Sequence, residues 1–334
     1  MERFIRDSLP YGPNLNAENK EVKSLMIEVS HLTKYYGDYA AVDNLTFELS
    51  PGDILGFLGP NGAGKSTTMK MLTGFLRPSS GEVKICGGNV WKDSLTAQRH
   101  FGYLPEGAPA YDEMTPLGFL KFIAEARGLV GFERDKRLEE TIEIMSLRDV
   151  LGQRIETLSK GFKRRVGLAQ AILHDPDVLI LDEPTDGLDP NQKHQVREMI
   201  EGLSRDKIVI VSTHILEEVE AVCNRAMVLS NGKMVADGTP QSLLKMSPYH
   251  GAVTVITKTT PIEEIAMASE VIVGVKKTVT KNGGVTFIPE HVNSGLFSEI
   301  LEFSNSKGWD LDSLNLESGR LDDVFRTLTE GEVL

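Results

Sequence analysis

The sequence has 334 residues, of which 40% are apolar and 25% are charged, so it is long enough for about two domains with ordinary cores. Its formal net charge of −12 argues against binding of a nucleic acid backbone, and we expect no nucleic acid partner. The two cysteines, Cys86 and Cys223, form neither a disulfide framework nor a metal-binding pattern, and no apolar stretch approaches the ~20 residues of a membrane helix. Any role in a membrane process would therefore be exercised from the membrane surface, through a partner.

The N-terminal part of the chain changes character near residue 25. Residues 1–24 are polar and rich in asparagine and proline, which predicts a flexible leader. Alternating apolar residues then predict strands at 26–30 and 42–49. Tyr35 and Tyr36 lie in a predicted turn between these strands. One of the two rings could stack on an adenine base, because neighbouring side chains on extended backbone point in opposite directions; packing of the turn is the simpler alternative.

A glycine-rich loop follows the apolar run 53–58 and precedes a helix-forming run at 68–72. It fits the pattern Gly-x-x-x-x-Gly-Lys-Ser at every fixed position, in the strand–loop–helix context that a phosphate-binding loop requires. The glycines allow successive N–H groups to point at one anion, and a helix starting near Gly64 adds its dipole. Lys65 would reach the β- and γ-phosphates, and the Ser66 hydroxyl would ligate Mg²⁺. We predict a nucleotide-binding loop made of Gly59, Pro60, Asn61, Gly62, Ala63, Gly64, Lys65, Ser66 and Thr67.

The next segments are predicted to be strands at 81–86 and 101–104, after which Pro105 leaves Glu106 in a loop. Thr115 and Pro116 predict the start of a helix, as N-cap and first-turn proline, and the chain stays mostly helical to about residue 150. Ser159 then begins another helix, whose N-terminus is a second potential anion site. Many helices begin Ser-x-Gly, so this pattern alone is a weak indication of a site.

Two apolar runs at 178–181 and 208–213 predict buried central strands of a parallel sheet. The first ends in Asp182 and Glu183, and the second ends at His214. The carboxyl edge of such a sheet is where open α/β proteins bind ligands. Asp182 could hold Mg²⁺ and Glu183 could polarise a water, although two carboxylates that cap the next turn are an alternative. His214 would lie on the same edge, so a role near the phosphates is expected.

The rest of the chain adds structural elements, and from Met246 on it contains no Walker, metal-binding or nucleophile pattern. A turn at 185–190 leads to a helix at 191–203, and Asn231-Gly232 predict a hairpin. Beyond Pro248 the order of elements is β-α-β-β-α-β followed by a helix, which predicts a small ferredoxin-like domain. Thr260 has the spacing of a capping box with Glu263. The predicted organisation is a leader at 1–24, a nucleotide-binding domain at 25–246 and an accessory domain at 250–334.

Together these segments resemble the ATP-binding subunit of an ATP-binding-cassette (ABC) transporter, over about residues 25–245. The resemblance rests on several motifs in the correct order, and the residues 103–106, 160–161 and 186–190 place it near the multidrug and gliding-motility-type exporters. It implies an α/β fold, in which a RecA-like P-loop core carries antiparallel β and helical subdomains. It also implies an ATPase with ATP and Mg²⁺ at its site.

The resemblance implies roles for individual residues. Tyr36 would stack on adenine, with Tyr35 as the less favoured choice, and Lys65 would act on the phosphates. Ser66, Asp182 and Glu106 would hold or approach Mg²⁺, Glu106 standing in place of the Q-loop glutamine. Glu183 would be the general base and His214 the switch histidine. The signature segment would consist of Ser159, Lys160, Gly161 and Phe162, and Asp189 would belong to the D-loop.

The resemblance also implies partners and a location. Two such subunits, here expected to be identical, would dimerise head to tail, so that the signature of one covers the γ-phosphate bound to the other. An integral membrane permease would bind between residues 106 and 126, and the chain would be peripheral at the cytoplasmic face of the cell membrane. Candidates for the permease groove are Tyr111, Met114, Leu117 and Phe119, with core packing as the alternative for the last two.

Three positions depart from the family pattern. Glu106 replaces glutamine, which adds negative charge and removes a donor. Lys160 replaces a glycine of the signature, and Phe162 replaces its last glutamine.

Two other classes of protein remain as alternatives: a soluble, non-transport ABC ATPase and a nucleotide-dependent regulator. The single Walker A loop and the short span from 66 to 159 argue against the ribosomal and chromosomal ATPases, and Glu183 argues against a regulator without turnover.

Overall fold

The computed structural model describes residues 27–107, 111–281, 283–291 and 295–330, with the Glu330 side chain left out. The predicted leader therefore lies outside the described residues, as do Met26, Asn282 and Ser294. Within these ranges the chain forms three sheets with helices packed around them. No helix in the described part combines the length and the apolar character needed to cross a bilayer.

The central sheet has six strands: β3 (Ile54–Leu58), β6 (Phe101–Leu104), β7 (Val178–Asp182), β8 (Ile208–Ser212), β9 (Arg225–Ser230) and β10 (Lys233–Gly238). Their order is β10-β9-β3-β8-β7-β6, with β10 antiparallel at one edge and all other neighbours parallel. Every residue of β3, β6, β7 and β8 is buried, as expected for a parallel sheet that is covered on both faces. The segments that follow β3, β7 and β8 consequently meet at one edge of this sheet.

A second, antiparallel sheet contains β1 (Ile27–Tyr36), β2 (Tyr39–Leu49), β4 (Ser80–Ile85) and β5 (Gly88–Asn89), in the order β2-β1-β4-β5. β1 continues through Tyr36, which pairs with Tyr39, so Tyr35 and Tyr36 end a strand and the turn is limited to Gly37-Asp38. An edge-to-face contact of Phe47 with Phe57, at 5.6 Å between ring centroids, joins this sheet to the central one.

The described residues around these two sheets form the helices α1 (Lys65–Leu72), α2 (Ser94–His100), α3 (Pro116–Ala126), α4 (Gly131–Ile144), α5 (Lys160–Ile172), α6 (Pro190–Leu203), α7 (Leu216–Val222) and α8 (Pro240–Leu244). Short 3-10 turns occupy Arg148–Val150 and Ile155–Thr157. The predicted start of α3 is confirmed: the Thr115 hydroxyl accepts from the N–H of Gly118 at 3.1 Å, and Pro116 is the first helical residue. α3, α4 and α5 form a helical subdomain whose apolar faces share one core, including Leu120, Leu138 and Val166.

The C-terminal part forms β11 (Val253–Thr257), α9 (Ile262–Met267), β12 (Val275–Lys281), β13 (Gly284–Pro289), α10 (Leu296–Lys307), β14 (Leu311–Leu316) and α11 (Leu321–Glu330), with a 3-10 turn at Ala268–Glu270. Its antiparallel sheet has the order β12-β13-β11-β14, which confirms the predicted ferredoxin-like fold. The predicted capping box at Thr260 is wrong. α9 begins after Pro261, and the Thr260 hydroxyl donates instead to Asp310 Oδ1 at 2.7 Å.

Candidate functional site

The glycine-rich loop between β3 and α1 has the tight geometry that its glycines permit. A Cβ on Gly59 would lie 2.6 Å from the carbonyl oxygen of Leu229. Gly64 has φ of 104°, and a Cβ there would lie 2.5 Å from the carbonyl oxygen of Ala41. Any other residue at these two positions would force the loop out of place. The loop is thus fixed by close backbone packing, and α1 begins directly at Lys65 with its N-terminus at the loop.

Lys65 lies inside this loop and is 7% exposed. Its Nζ donates to the carbonyl oxygens of Gly59 at 2.5 Å and Pro60 at 3.2 Å. Burial lowers the pKa of Lys65, and the nearby carboxylates of Glu183, Asp182 and Glu106 oppose that effect. The ammonium group therefore lies where the loop and the carboxyl ends of two other segments converge.

Asp182 ends β7 and is almost completely buried. Its Oδ1 accepts a hydrogen bond from the Ser212 hydroxyl, whereas its Oδ2 has no hydrogen-bond partner among the described residues. An unpaired buried carboxylate oxygen is unfavourable unless a cation or water satisfies it. Carboxylate and hydroxyl oxygens suit Mg²⁺, so Asp182 fits this ion. Ser212 was not predicted from the sequence, although it pairs with Asp182 in the register of β7 and β8.

Glu183 has a left-handed backbone with φ of 49°, which is rare for a residue other than glycine and tends to mark functional sites. Its N–H donates to the backbone oxygen of Ser212 at 3.1 Å and to the hydroxyl at 3.2 Å. Nδ1 of His214 lies 3.1 and 3.0 Å from its two carboxylate oxygens. Burial raises the pKa of Glu183, and the hydrogen bond with His214 opposes the rise.

These segments enclose a cavity of about 410 Å³. The predicted residues that line it come from the phosphate loop, from Glu106 and from the ends of β7 and β8. Four lining residues were not predicted: Gly107, Arg164, Asp186 and Phe325. The full lining consists of Gly59, Pro60, Asn61, Glu106, Gly107, Arg164, Glu183, Asp186, His214 and Phe325.

Arg164 is the most heavily bonded of the residues that sequence reasoning missed. It lies on α5 and is 5% exposed. Its guanidinium group donates to backbone oxygens of two separate loops, at Pro105, Gly107, Asp182, Glu183 and Pro184. Burial lowers the pKa of Arg164, and the carboxylates of Asp186, Asp182, Glu183 and Glu106 oppose that shift. Arg164 thereby connects the loop of Glu106 to the turn that carries Glu183.

Three half-exposed tyrosines, Tyr35, Tyr36 and Tyr39, flank the turn between β1 and β2. Lys34 Nζ lies 5.3 Å from the ring centroid of Tyr36. Tyr39 was not predicted as a site residue, yet its hydroxyl donates to the carbonyl oxygen of Gly62 at 3.4 Å. Tyr39 therefore contacts the loop directly, and stacking of adenine on Tyr36 stays a prediction.

The signature segment lies outside the lining of this cavity. The Ser159 hydroxyl caps α5 by accepting from the N–H of Phe162 at 3.3 Å, and both Ser159 and Lys160 are exposed. None of the residues 159–162 lines the 410 Å³ cavity formed by the described residues. The Phe162 ring lies 5.5 Å from the guanidinium carbon of Arg165, so the aromatic replacement has a partner within its own helix. Asp189 caps α6 by accepting from the N–H of Gln192 at 2.9 Å.

A larger groove of about 820 Å³ lies between α2, α3 and the end of β6. Tyr111 and Phe119 line it, whereas Met114 and Leu117 pack against the main core. Phe75, Leu95 and Phe122, which the sequence did not single out, also line this groove with exposed apolar surface. An apolar groove with several exposed aromatic rings is typical of a protein-binding surface.

A family model described as "ABC transporter" matches residues 42–186 of this chain. An uncharacterized ABC transporter ATP-binding protein of Bacillus subtilis (strain 168), YhcH, is 39% identical over 212 residues, which are 63% of this chain and 68% of that protein. The Nod factor export ATP-binding protein I of Cupriavidus metallidurans is 35% identical over 220 residues, 66% of this chain and 73% of the relative. A probable multidrug ABC transporter ATP-binding protein of Escherichia coli (strain K12), YbhF, is 36% identical over 242 residues, but these cover only 41% of its length.

Solved structures of ABC transporter ATPases also resemble this chain. A structure of an ATP-binding subunit of an ABC transporter has a TM-score of 0.62 and 32% sequence identity, covering 66% of this chain and 92% of the other. The dimeric structure of a bacterial ABC transporter cassette has a TM-score of 0.60 and 25% identity, covering 64% of this chain and 99% of the other. The similarity therefore extends over about two thirds of the chain.

Proposed function

This chain belongs to the ABC transporter family as one of its ATP-binding, ATP-hydrolysing subunits, and we propose that Lys65, Glu183 and His214 catalyse the hydrolysis of ATP. The observation that supports this most directly is the partly buried Glu183 carboxylate, held by His214 in the cavity that the phosphate loop also lines. We propose the boundaries 25–246 for the nucleotide-binding domain and 250–334 for the accessory domain.

ATP binding would use the loop from Gly59 to Thr67, with the N–H groups at the start of α1 directed at the phosphates. Lys65 would exchange its contacts with Gly59 and Pro60 for the β- and γ-phosphate oxygens. Ser66, Asp182 and Glu106 are the residues that would hold Mg²⁺. When bound, this ion neutralises phosphate charge during transfer.

Hydrolysis requires an oriented water next to the γ-phosphate. Glu183 would accept a hydrogen bond from this water and take its proton as the oxygen–phosphorus bond forms. The bond from the γ-phosphorus to the bridging oxygen breaks, which yields ADP and inorganic phosphate. His214 would keep the Glu183 carboxylate oriented, and Lys65 would stabilise the charge that develops on the phosphoryl oxygens.

The separation of the signature from the cavity supports assembly in trans. Ser159 and Lys160 are exposed at the start of α5, away from the chain's own phosphate loop. We propose that they cover the γ-phosphate bound by a second copy, so that ATP holds a head-to-tail homodimer together and hydrolysis releases it. The positive N-terminus of α5 and the Lys160 ammonium group both favour an anion at this surface.

Replacement of Lys160 by glycine tests this dimer contact. We expect K160G to weaken ATP-dependent dimerisation about fivefold, since one exposed charge contact contributes roughly 1 kcal/mol. Sedimentation of the full chain with ATP, in a background that does not hydrolyse it, measures the effect. Lys163→Gly on the same helix is the matched control and should leave dimerisation unchanged. Unaltered dimerisation and ATP affinity in K160G would contradict a role for this lysine.

We further propose that the 820 Å³ groove binds a helix of an integral membrane permease, which would place the chain at the cytoplasmic face of the cell membrane as a peripheral subunit. The relatives named as Nod factor export ATP-binding proteins favour an exporter. The exposed aromatic rings of Tyr111 and Phe122 would supply the apolar contact.

A glutamate at both Tyr111 and Phe122 should abolish recovery of the chain with membranes, because two buried charges at such a contact are unfavourable. Phe132→Glu is a matched control, since Phe132 is 85% exposed and does not line the groove. Affinity purification from membranes, followed by identification of the co-purified permease, is the measurement. Recovery of the wild-type chain only in a permease-free form would instead favour a non-transport ABC ATPase.

A further inference from the structure

α11 follows the ferredoxin-like sheet in the chain, but it packs on the ATPase part. α11 contacts α8, β9 and β10, which belong to the ATPase part of the chain. Leu321 and Val324 of α11 are 3% and 2% exposed, and Phe325 and Leu328 pack against the same core as Val219 of α7. In sequence, the accessory sheet thus lies between α8 and α11, and α11 packs back on the ATPase part.

This return places an aromatic side chain at the site of hydrolysis. Phe325 lines the 410 Å³ cavity together with Glu183 and His214. Most of the other side chains in that lining are polar or charged, namely Asn61, Glu106, Arg164 and Asp186, and Pro60 is the remaining apolar one. Among the described residues that line this cavity, Phe325 is therefore the large apolar side chain, and most of the others are polar.

An apolar wall has two physical consequences here. It limits the positions that water can occupy beside Glu183, and it lowers the effective dielectric in which the charges of Lys65 and Arg164 act. α11 also abuts the segment that follows His214: Glu220 of α7 lies close enough to Asp322 of α11 for the two carboxylates to repel each other. Apolar packing by the buried Leu321 and Val324 must hold α11 in place against that repulsion.

We propose that Phe325 is a positioning residue for ATP hydrolysis. α11 carries its ring from the accessory part into the wall of the hydrolytic cavity, where it restricts the attacking water to the position that Glu183 controls. The accessory part thereby sets the turnover rate of the ATPase part without setting its affinity for ATP. This inference rests on the proposed function, since it needs Glu183 and His214 to be the hydrolytic pair.

Steady-state ATPase kinetics of the full-length chain test the proposal. We expect F325A to lower kcat about tenfold, with KM for ATP changed less than about twofold, since positioning acts on the transition state. F325L should recover kcat to within about threefold of wild type, because leucine restores most of the apolar wall. L328A is the matched control. Leu328 packs on the same core and does not line the cavity, so the kcat of L328A should stay within about twofold of the wild-type value.

The outcomes separate this inference from the function on which it rests. No ATP hydrolysis by the wild-type chain would contradict the proposed function. Wild-type turnover together with an unchanged kcat in F325A would overturn only the role of Phe325. A loss in L328A as large as that in F325A would also overturn it, because helix docking alone would then explain the effect.

A second variant covers the case in which F325A does not fold. F325W places an indole in the cavity, and we expect its fluorescence to change when MgATP binds, whereas L328W should not respond. The native Trp91 and Trp309 pack at the antiparallel sheet and in the ferredoxin-like core, so they contribute a constant background. Absence of any response in F325W that binds ATP would overturn the placement of this ring at the site.

Discussion

Glu183→Gln is expected to reduce the ATPase rate by about 100-fold or more, because glutamine keeps the size and polarity of the side chain but cannot accept the proton of the attacking water. ATP affinity should be retained, since the phosphate loop and Lys65 are unaltered. The ATP-bound dimer should accumulate, because the step that releases it is blocked. Phosphate release measures the rate, a fluorescent nucleotide measures affinity, and size-exclusion chromatography with ATP measures the dimer.

The control for this substitution is Glu217→Gln. Glu217 is exposed on α7, three residues after His214, so its replacement makes the same change in charge near the site without entering the cavity. We expect E217Q to hydrolyse ATP at the wild-type rate. Hydrolysis by E183Q at full rate would contradict the assignment of Glu183 as the base. Equal losses of ATPase rate in E183Q and E217Q would indicate that the change in net charge causes the loss.

Arg164→Ala should cost about 3 kcal/mol of the free energy of unfolding, because several buried carbonyl oxygens lose their donor at once. This loss of stability is smaller than the summed cost of five unsatisfied carbonyl oxygens, because the loop at Pro105 and Gly107 can turn toward water. ATPase activity should fall in parallel, because the same guanidinium group connects the loop of Glu106 to the turn of Glu183. Urea denaturation followed by circular dichroism measures stability.

Arg165→Ala is a close control on the same helix. The Arg165 side chain contacts the side chains of Gln195 and Phe162 at the surface, so its loss should cost less than about 1 kcal/mol. Arg164→Lys should lie between the two, since one ammonium group cannot reach oxygens on both loops in the fork geometry of a guanidinium group. Equal stability of R164A and R165A would rule out the connecting role of Arg164.

The three residues that depart from the family pattern have different surroundings in the structure. Phe162 has the Arg165 guanidinium group over its ring, so it has a partner on α5. The aliphatic chain of Lys160 passes close to Gly187, which leads toward Asp189. Glu106 adds a carboxylate to the cavity, where Lys65 and Arg164 offset its charge. Each departure thus lies beside a partner that can accommodate it.

Several features of this protein follow from short stretches of its sequence. The phosphate loop is continuous in the chain, and its glycines are required by local backbone geometry. The apolar runs before Asp182 and His214 are long enough to predict buried parallel strands, and parallel strands bring their carboxyl ends to one edge whatever the details of packing. That Lys65, Glu183 and His214 come together at one edge of the sheet was therefore predictable from the sequence.

Other features arise only when distant segments pack together. The hydroxyl of Ser212 meets Asp182 through the register of β7 against β8, and Arg164 reaches two loops because α5 lies behind both. Phe325 is far from Glu183 along the chain, and the docking of α11 alone brings the two to one cavity. Such contacts depend on the relative placement of whole elements, which burial of apolar surface decides, and no local sequence pattern encodes that placement.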